Sequence, residues 1–351
     1  MRIEQLTFTR FLAAISIVIF HYGLSIFPFN EEDISFLFKH ANIGVSYFFI
    51  LSGFVMMIAY SPKTNLDVFQ YFKNRFARIY PVYLLAIFLI FTYIFLFFEN
   101  KNYDGIILNI LLLQAWIPAH ALSFNPLGWT LSVEIFFYAL FPFLYNHLYT
   151  KVPYKKIMAW VIIFFVFSQI VFHLLSHSHL YLGYPSNFHN FIFYFPILHL
   201  SEFLIGNLAG IFFLKNLSNK EKNYDLLILL CLSILFLSLK YSFGLNFHNG
   251  LLGIVFIPLI FLLCINTGIF TRILQNKLCI FFGEISYGIY ILQIPIFWWT
   301  KGFLKYLHVE EITLVFYISL LVLIGSSALS YLFIETPLRI FIKRYKRKNL
   351  K

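Results

Sequence analysis

Ten separate apolar stretches, each about 17–25 residues long and so able to cross a hydrocarbon layer as a helix, dominate the chain: 8–28, 41–60, 79–98, 127–149, 157–175, 190–214, 224–243, 250–270, 279–299 and 312–334. This leaves little choice of fold. Inside a bilayer every backbone N–H and C=O must be paired within the protein, which helices achieve and open sheets do not. The class implied is an all-α polytopic membrane protein. At 60% hydrophobic and 12% charged residues, the charged share is about half that of a soluble domain, which excludes an ordinary soluble globule. One shorter apolar run, 105–118, is ambiguous.

Charge placement decides that run, because Lys and Arg collect in cytoplasmic loops. If the N-terminus is inside and 105–118 does not cross, all but Lys39, Lys101, Lys240, Lys301 and Lys305 of the 26 basic residues fall on the cytoplasmic side. Letting the run cross would move Lys151, Lys155 and Lys156 outside and reverse each later loop. The expectation is therefore about ten transmembrane helices, cytoplasmic N- and C-termini, and 105–118 as a re-entrant or interfacial segment. Residues 1–338 read as a single membrane domain and 339–351 as a basic cytoplasmic tail. The net charge of +11 then reflects topology and contact with anionic lipid headgroups, and calls for no nucleic-acid partner. Cys231, Cys264 and Cys279 lie in or beside apolar stretches without paired spacing, so they imply neither disulfides nor a metal site.

The polar residues inside the apolar stretches carry the functional signal, since each costs about 2.5–3.5 kcal/mol at the centre of an inserted helix. Arg10 and His21 share the first stretch. Eleven helical steps come within about 20° of three full turns, so both lie on one face, about 16 Å apart along the axis. Arg75 and Arg78 share a face just before Ile79-Tyr80-Pro81, where guanidinium forks can take phosphate or simply anchor the span as positive-inside residues; Arg10 on the same side favours the phosphate role. Glu134, in Gly128-Trp129-Thr130-Leu131-Ser132-Val133-Glu134, lies at a depth estimated to match His21. A carboxylate beside an imidazole would suit a general base.

These residues sit in a series of motifs. Arg10-x10-His21, the run Gly44 to Phe54, Arg75-x-x-Arg78-Ile79-Tyr80-Pro81, Gly128 to Glu134, Gly283 to Gln293 and Ile334-Glu335-Thr336-Pro337 occur in that order. Together they resemble the acyltransferase-3 family of integral-membrane O-acyltransferases. The resemblance implies transfer of an acyl group, acetyl by default, from cytoplasmic acyl-CoA to a hydroxyl of an envelope glycan or lipid-linked sugar at the outer face of a bacterial inner membrane. It makes His21 the base, Arg10 a required partner that also serves the donor, and Glu134 a neighbour of the reaction centre. Arg75 and Arg78 become contacts for the CoA phosphates; no metal is implied. Two departures stand out: Gln293 occupies a position where the family usually has histidine, and Ser46 one that is commonly acidic.

Other polar groups read more plainly. His177, His179 and His189, with Tyr181 and Tyr184, fall in an outer loop whose spacing does not suit zinc. Acceptor contact or a solvated loop remain open for them. His199 and Glu202 could line a cavity, Gly206-x3-Gly210 reads as close helix packing, and Glu284 as a structural partner for a basic residue. The same buried charges could serve a transporter or flippase of lipid-linked glycans. That alternative calls for an internal inverted repeat, and the sequence shows none.

Overall fold

The computed structural model describes residues 4–61, 63–99 and 101–344. Among these it is helical throughout, with a lone parallel bridge between Lys222 and Asn266. The helices are α1 Gln5–Tyr22, α2 Glu32–Lys39, α3 Ile43–Tyr60, α4 Val68–Phe97, α5 Ile106–Ile110, α6 Gly128–Phe143, α7 Tyr154–Ser176 and α8 Asn187–Tyr194. They continue with α9 Leu200–Asn216, α10 Asp225–Lys240, α11 Gly253–Ile265, α12 Ile269–Leu274, α13 Lys277–Tyr306, α14 Ile312–Ser330 and α15 Thr336–Arg344. Short wide π-helical turns, Leu144–Tyr149 and Tyr331–Glu335, extend α6 and join α14 to α15.

Eight of these helical segments are long and apolar enough to cross a membrane, and they coincide with eight of the ten predicted stretches. The other two stretches form α10 and α11, about 24 and 20 Å long at helical rise, less than a hydrocarbon layer of about 30 Å. The fold is that of a multi-pass helical membrane protein. Two boundaries shift. The connection 61–78 does not stand apart: most of it is the first third of the 30-residue α4, which runs through Pro81 without a break. Such a helix, about 45 Å long, must project beyond the hydrocarbon, and it carries Arg75 and Arg78 on the projecting part. At the other end, α1 stops at Tyr22 and not at residue 28, so His21 lies in its last turn.

The run 105–118 does not cross. Its longest helix is the five-residue α5, followed by two single 3-10 turns, with Leu112 and Gly105 at positive φ. Buried Asn109 folds it back, donating from Nδ2 to the carbonyls of Gly105 and Ser123, each at 3.0 Å. Tyr83 of α4 donates to the Asn109 carbonyl at 2.9 Å, and Gly128 leaves room where a Cβ would lie 2.8 Å from Gln114.

Helix α3 is the axle of the bundle, with most of its residues buried. It meets α9 backbone to backbone: a Cβ on Gly206 would lie 2.1 Å from the Ile50 carbonyl, and one on Gly53 would lie 2.3 Å from that of Phe203. Small residues permit this approach, in which dispersion replaces the hydrophobic drive that lipid cannot supply. A second seam joins α1 to α13, where a Cβ on Gly283 would meet the Thr7 carbonyl at 2.2 Å. That seam fixes Arg10 and Glu284 relative to each other.

Candidate active site

A cavity of about 420 Å³ opens among α1, α3, α4, α6, α13 and the α14–α15 junction. Among the described residues four arginines line it, Arg10, Arg75, Arg78 and Arg339, together with Glu134, Glu284 and Glu335 and the tyrosines Tyr138, Tyr287, Tyr290 and Tyr331. The bundle end it occupies is the one near the chain segments rich in Lys and Arg.

The arginines are held in different ways. Arg75 stands in a box of three tyrosine rings, its guanidinium carbon 5.9, 5.9 and 5.4 Å from the centroids of Tyr60, Tyr71 and Tyr138. Cation–π attraction fixes the group without using up its N–H donors. One Nη donates to the Tyr60 hydroxyl at 3.5 Å, and the buried Nε has no acceptor. Arg10 and Arg78, both half-buried, make no hydrogen bond to another described residue. Each therefore offers a planar fork of donors to whatever enters. Arg10 interacts electrostatically with Arg78, Glu134 and Glu284, and buried Glu335 with Arg78, Arg339 and Arg10. The carboxylates keep the cluster from repelling itself apart while leaving donors free.

Glu134, in the second turn of α6, accepts a short hydrogen bond from the Tyr138 hydroxyl and a longer one, 3.4 Å, from Ser52 Oγ. Tyr138 thus holds a carboxylate with its hydroxyl and a guanidinium with its ring. Tyr331 donates to Glu284 at 3.1 Å, and Tyr287 to the Ile79 carbonyl at 2.8 Å. Gln293 is fully buried behind this wall and donates to the Tyr290 carbonyl at 2.8 Å.

The structure brings Arg10, Arg75, Arg78 and Glu134 into one cavity and leaves His21 out of it. His21 is exposed, stacks edge-on against Phe20 with centroids 5.1 Å apart, and makes no hydrogen bond or ion pair with a described residue. The expected His21–Glu134 pair is absent. Depth along two helices does not fix the direction in which each side chain points, and α1 ends sooner than its apolar run. Sequence reasoning missed Arg339, which was grouped with the basic tail but belongs to α15, and it gave Glu284 only a structural part. Glu284 and Glu335 both lie inside motifs already noted, so a signal for them was present.

His199 and Glu202 line neither of the two principal cavities. They form a fully buried pair, Nδ1 to Oε2 at 2.7 Å, with Nε2 bonded to the Phe193 carbonyl at 2.9 Å. Gly206 and Gly210 do pack helix on helix. Among the described residues no three His, Cys, Asp or Glu side chains gather in a group able to hold a metal.

Fold and cavity together define a membrane-embedded, multi-pass helical protein with an arginine-rich chamber at one end of its bundle. Residues 3–334 match the acyltransferase domain family, and the chain belongs to this acyltransferase-3 family. It is 30% identical to the acyltransferase MdmB of Streptomyces mycarofaciens over 58% of this chain and 56% of that protein. It is 24% identical to the O-acetyltransferase OatA of Staphylococcus aureus over 94% of this chain and 56% of that protein. The chain therefore spans a little over half the length of these relatives. No solved structure matches it.

Proposed function

We propose that this chain is an acyl-CoA-dependent O-acyltransferase, with acetyl-CoA the default donor, that esterifies a hydroxyl of an envelope glycan or lipid-linked sugar across a bacterial inner membrane. The observation that carries the reading is the pair of guanidiniums, Arg10 and Arg78, with no hydrogen-bond partner among the described residues, in a cavity at the basic end of the bundle. Unspent arginine donors at a membrane face suit a multiply charged phosphate donor. The family membership supplies the chemistry and the OatA similarity the oxygen acceptor.

The geometry supports a division of labour within this reading. Arg10, Arg75 and Arg78, with Arg339 beside them, hold the nucleotide end. The thioester reaches past Glu134 and Tyr138 toward the end of α1, where His21, the proposed base, makes no hydrogen bond with another described residue. The acceptor oxygen forms the new C–O bond, the C–S bond breaks, and the hydroxyl proton passes through His21 to the departing thiolate. Glu134 contributes charge at the cavity and serves as an electrostatic neighbour of the donor, not as a hydrogen-bonded partner of His21.

The test is transfer from radiolabelled acetyl-CoA to extracted envelope glycan by the purified protein in lipid nanodiscs, beside calorimetric binding of CoA. Saturable CoA binding that Arg10→Ala with Arg78→Ala weakens, and ester formation that His21→Ala abolishes, are the outcomes that support the reading. CoA binding indifferent to both arginines would overturn the donor assignment.

A further inference from the structure

A second cavity, of about 440 Å³, lies at the other end of the bundle. Its lining comes from places far apart in sequence: the last turn of α1 at Phe20, the α2–α3 connection, the end of α7, Phe193 of α8, and the loop between α10 and α11. In the topology expected from charge placement each of these lies on the outer side. The size falls in the range of small-molecule sites. Phe20 belongs to its wall and His21 is the next residue, which brings the cavity to the end of α1 that carries the proposed base.

The chemistry of the lining is one-sided. Lys39, His40, His177 and His248 face the cavity, and no Asp or Glu among the described residues lines it. Lys39 is exposed and makes no ion pair with a described residue. Burial, and then the adjacent Lys39, hold the His40 imidazole below its ordinary range, so the permanent positive charge at that corner is the lysine's. Beside the lysine and the imidazoles stand Asn42, Ser176, Ser242 and Asn246, groups that bond hydroxyls, and the ring of Tyr181.

The back wall is built and held. His248, 6% exposed, points Nε2 at the Phe193 carbonyl at 3.0 Å and Nδ1 at Asn42 Nδ2 at 3.2 Å, while Ser46 Oγ donates to the His248 carbonyl. This arrangement assigns Nε2 as the donor and Nδ1 as the acceptor. The same Phe193 carbonyl takes Nε2 of His199, which Glu202 clamps from behind. Trp129 lies against both imidazoles, with centroids 5.2 and 5.8 Å away. The buried His199–Glu202 pair thus acts on the wall and does not face a ligand.

We propose that this second cavity is the acceptor pocket, and that the acceptor it takes is an anionic sugar, bearing a phosphate or a carboxylate, whose charge meets Lys39 and His177 while its hydroxyls meet the asparagines and serines. The inference rests on the acyltransferase reading for the word acceptor; the binding itself does not need it. A basic cavity without carboxylates selects anions, and a wall of neutral polar groups and aromatic rings selects sugars from among them.

The test is a titration of the purified protein, in nanodiscs of phosphatidylcholine alone, with glucose 1-phosphate, glucuronic acid, methyl glucoside and inorganic phosphate, without any acyl donor. Saturable binding of both anionic sugars is expected, with methyl glucoside at least about tenfold weaker, the loss of one charge-assisted contact. Lys39→Gln and His177→Gln, both at exposed positions, should each weaken the anionic sugars by about tenfold and leave the glucoside unchanged. Equal affinity for the neutral glucoside, or no effect of either substitution in protein that elutes as a single peak, would overturn the proposal. Inorganic phosphate binding as tightly as glucose 1-phosphate would also overturn it, by making the cavity a site for lipid headgroups. CoA binding measured in the same samples separates the two readings. If CoA ignores Arg10 and Arg78 while the sugars still bind, the donor assignment fails and the pocket stands; the reverse result removes the pocket alone.

Discussion

The two cavities have similar volumes and opposite manners of handling charge. The first mixes four arginines with three glutamates on six helical elements, and its rings hold a guanidinium in place. The second has a lysine, three histidines and neutral amides, drawn mostly from loops and helix ends, with no carboxylate among the described residues. Buried guanidiniums in a membrane domain need compensating carboxylates while the cavity is empty, because uncompensated charge in low dielectric is expensive. A lysine at a water-facing helix end needs none. The first cavity is therefore equipped to hold several charges deep in the protein, and the second to recognise one charge close to water.

His21 belongs to neither lining, and its removal should have the largest consequence. His21→Ala is expected to lower acyl transfer by about 10²–10⁴, the usual worth of a general base, with CoA binding and anionic-sugar binding both intact in parallel titrations. Loss of either binding would mean that the end of α1 shapes a cavity, and that the base is not separate from the two binding sites.

Next, Arg10→Ala with Arg78→Ala should raise the donor KM by about 10- to 100-fold, as expected for losing hydrogen bonds to charged groups, while sugar affinity at the second cavity stays within error. Steady-state kinetics at saturating acceptor would show it. An equal fall in sugar affinity would merge the two sites into one.

A third substitution should affect both cavities together. Gly206→Val forces a branched side chain against the Ile50 backbone, at a cost of about 1–3 kcal/mol for overpacking. It pushes α9, which carries the clamp on Phe193, away from α3, which carries Ser52. A lowered melting midpoint with weakened binding of both CoA and sugar is the expected result. A defect confined to one ligand would show that the seam serves that side alone.

The smallest effect concerns a carboxylate outside the membrane-spanning helices. Glu311 caps α14, accepting from the backbone N–H groups of Leu314 and Thr313 at 2.5 and 2.9 Å, and these bonds hold its carboxyl below the ordinary range. Its capping contribution is present above the unfolded value and is lost as pH falls through the lower folded one. Melting midpoints should show a slight advantage of the native chain over Glu311→Gln at pH 7 that fades toward pH 3. A difference that persists in acid would remove the ionised cap.

The helices and the first cavity were more legible in the sequence than the second. Apolar run length finds a membrane helix because the bilayer imposes it, and Arg10, Arg75 and Arg78 stand out because charge beside such runs is costly. Run length does not report where a helix stops, so the apolar run extends past the true end of α1, and a depth match does not distinguish a contact of His21 with Glu134 from the bonds to Tyr138 and Ser52 that Glu134 makes instead. Arg339 was hidden by company: among the tail's basic residues it looks like topology. The second cavity has almost no linear signature. Residues 39–42, 176–181 and 242–248 meet through loops that carry no periodicity, and only the outer-loop histidines hinted that this end had chemistry.

The wide turn Tyr331–Glu335 is a change of helical phase. An α-helix repeats its faces every 3.6 residues, and a π turn inserts one residue into that count, rotating everything after it by about 100°. Upstream, α14 shows apolar side chains such as Leu321 and Leu329 to its surroundings; downstream, Arg339 reaches the arginine chamber. Deleting a single residue from this turn would undo the rotation, carrying Arg339 off its face while leaving both flanking helices intact.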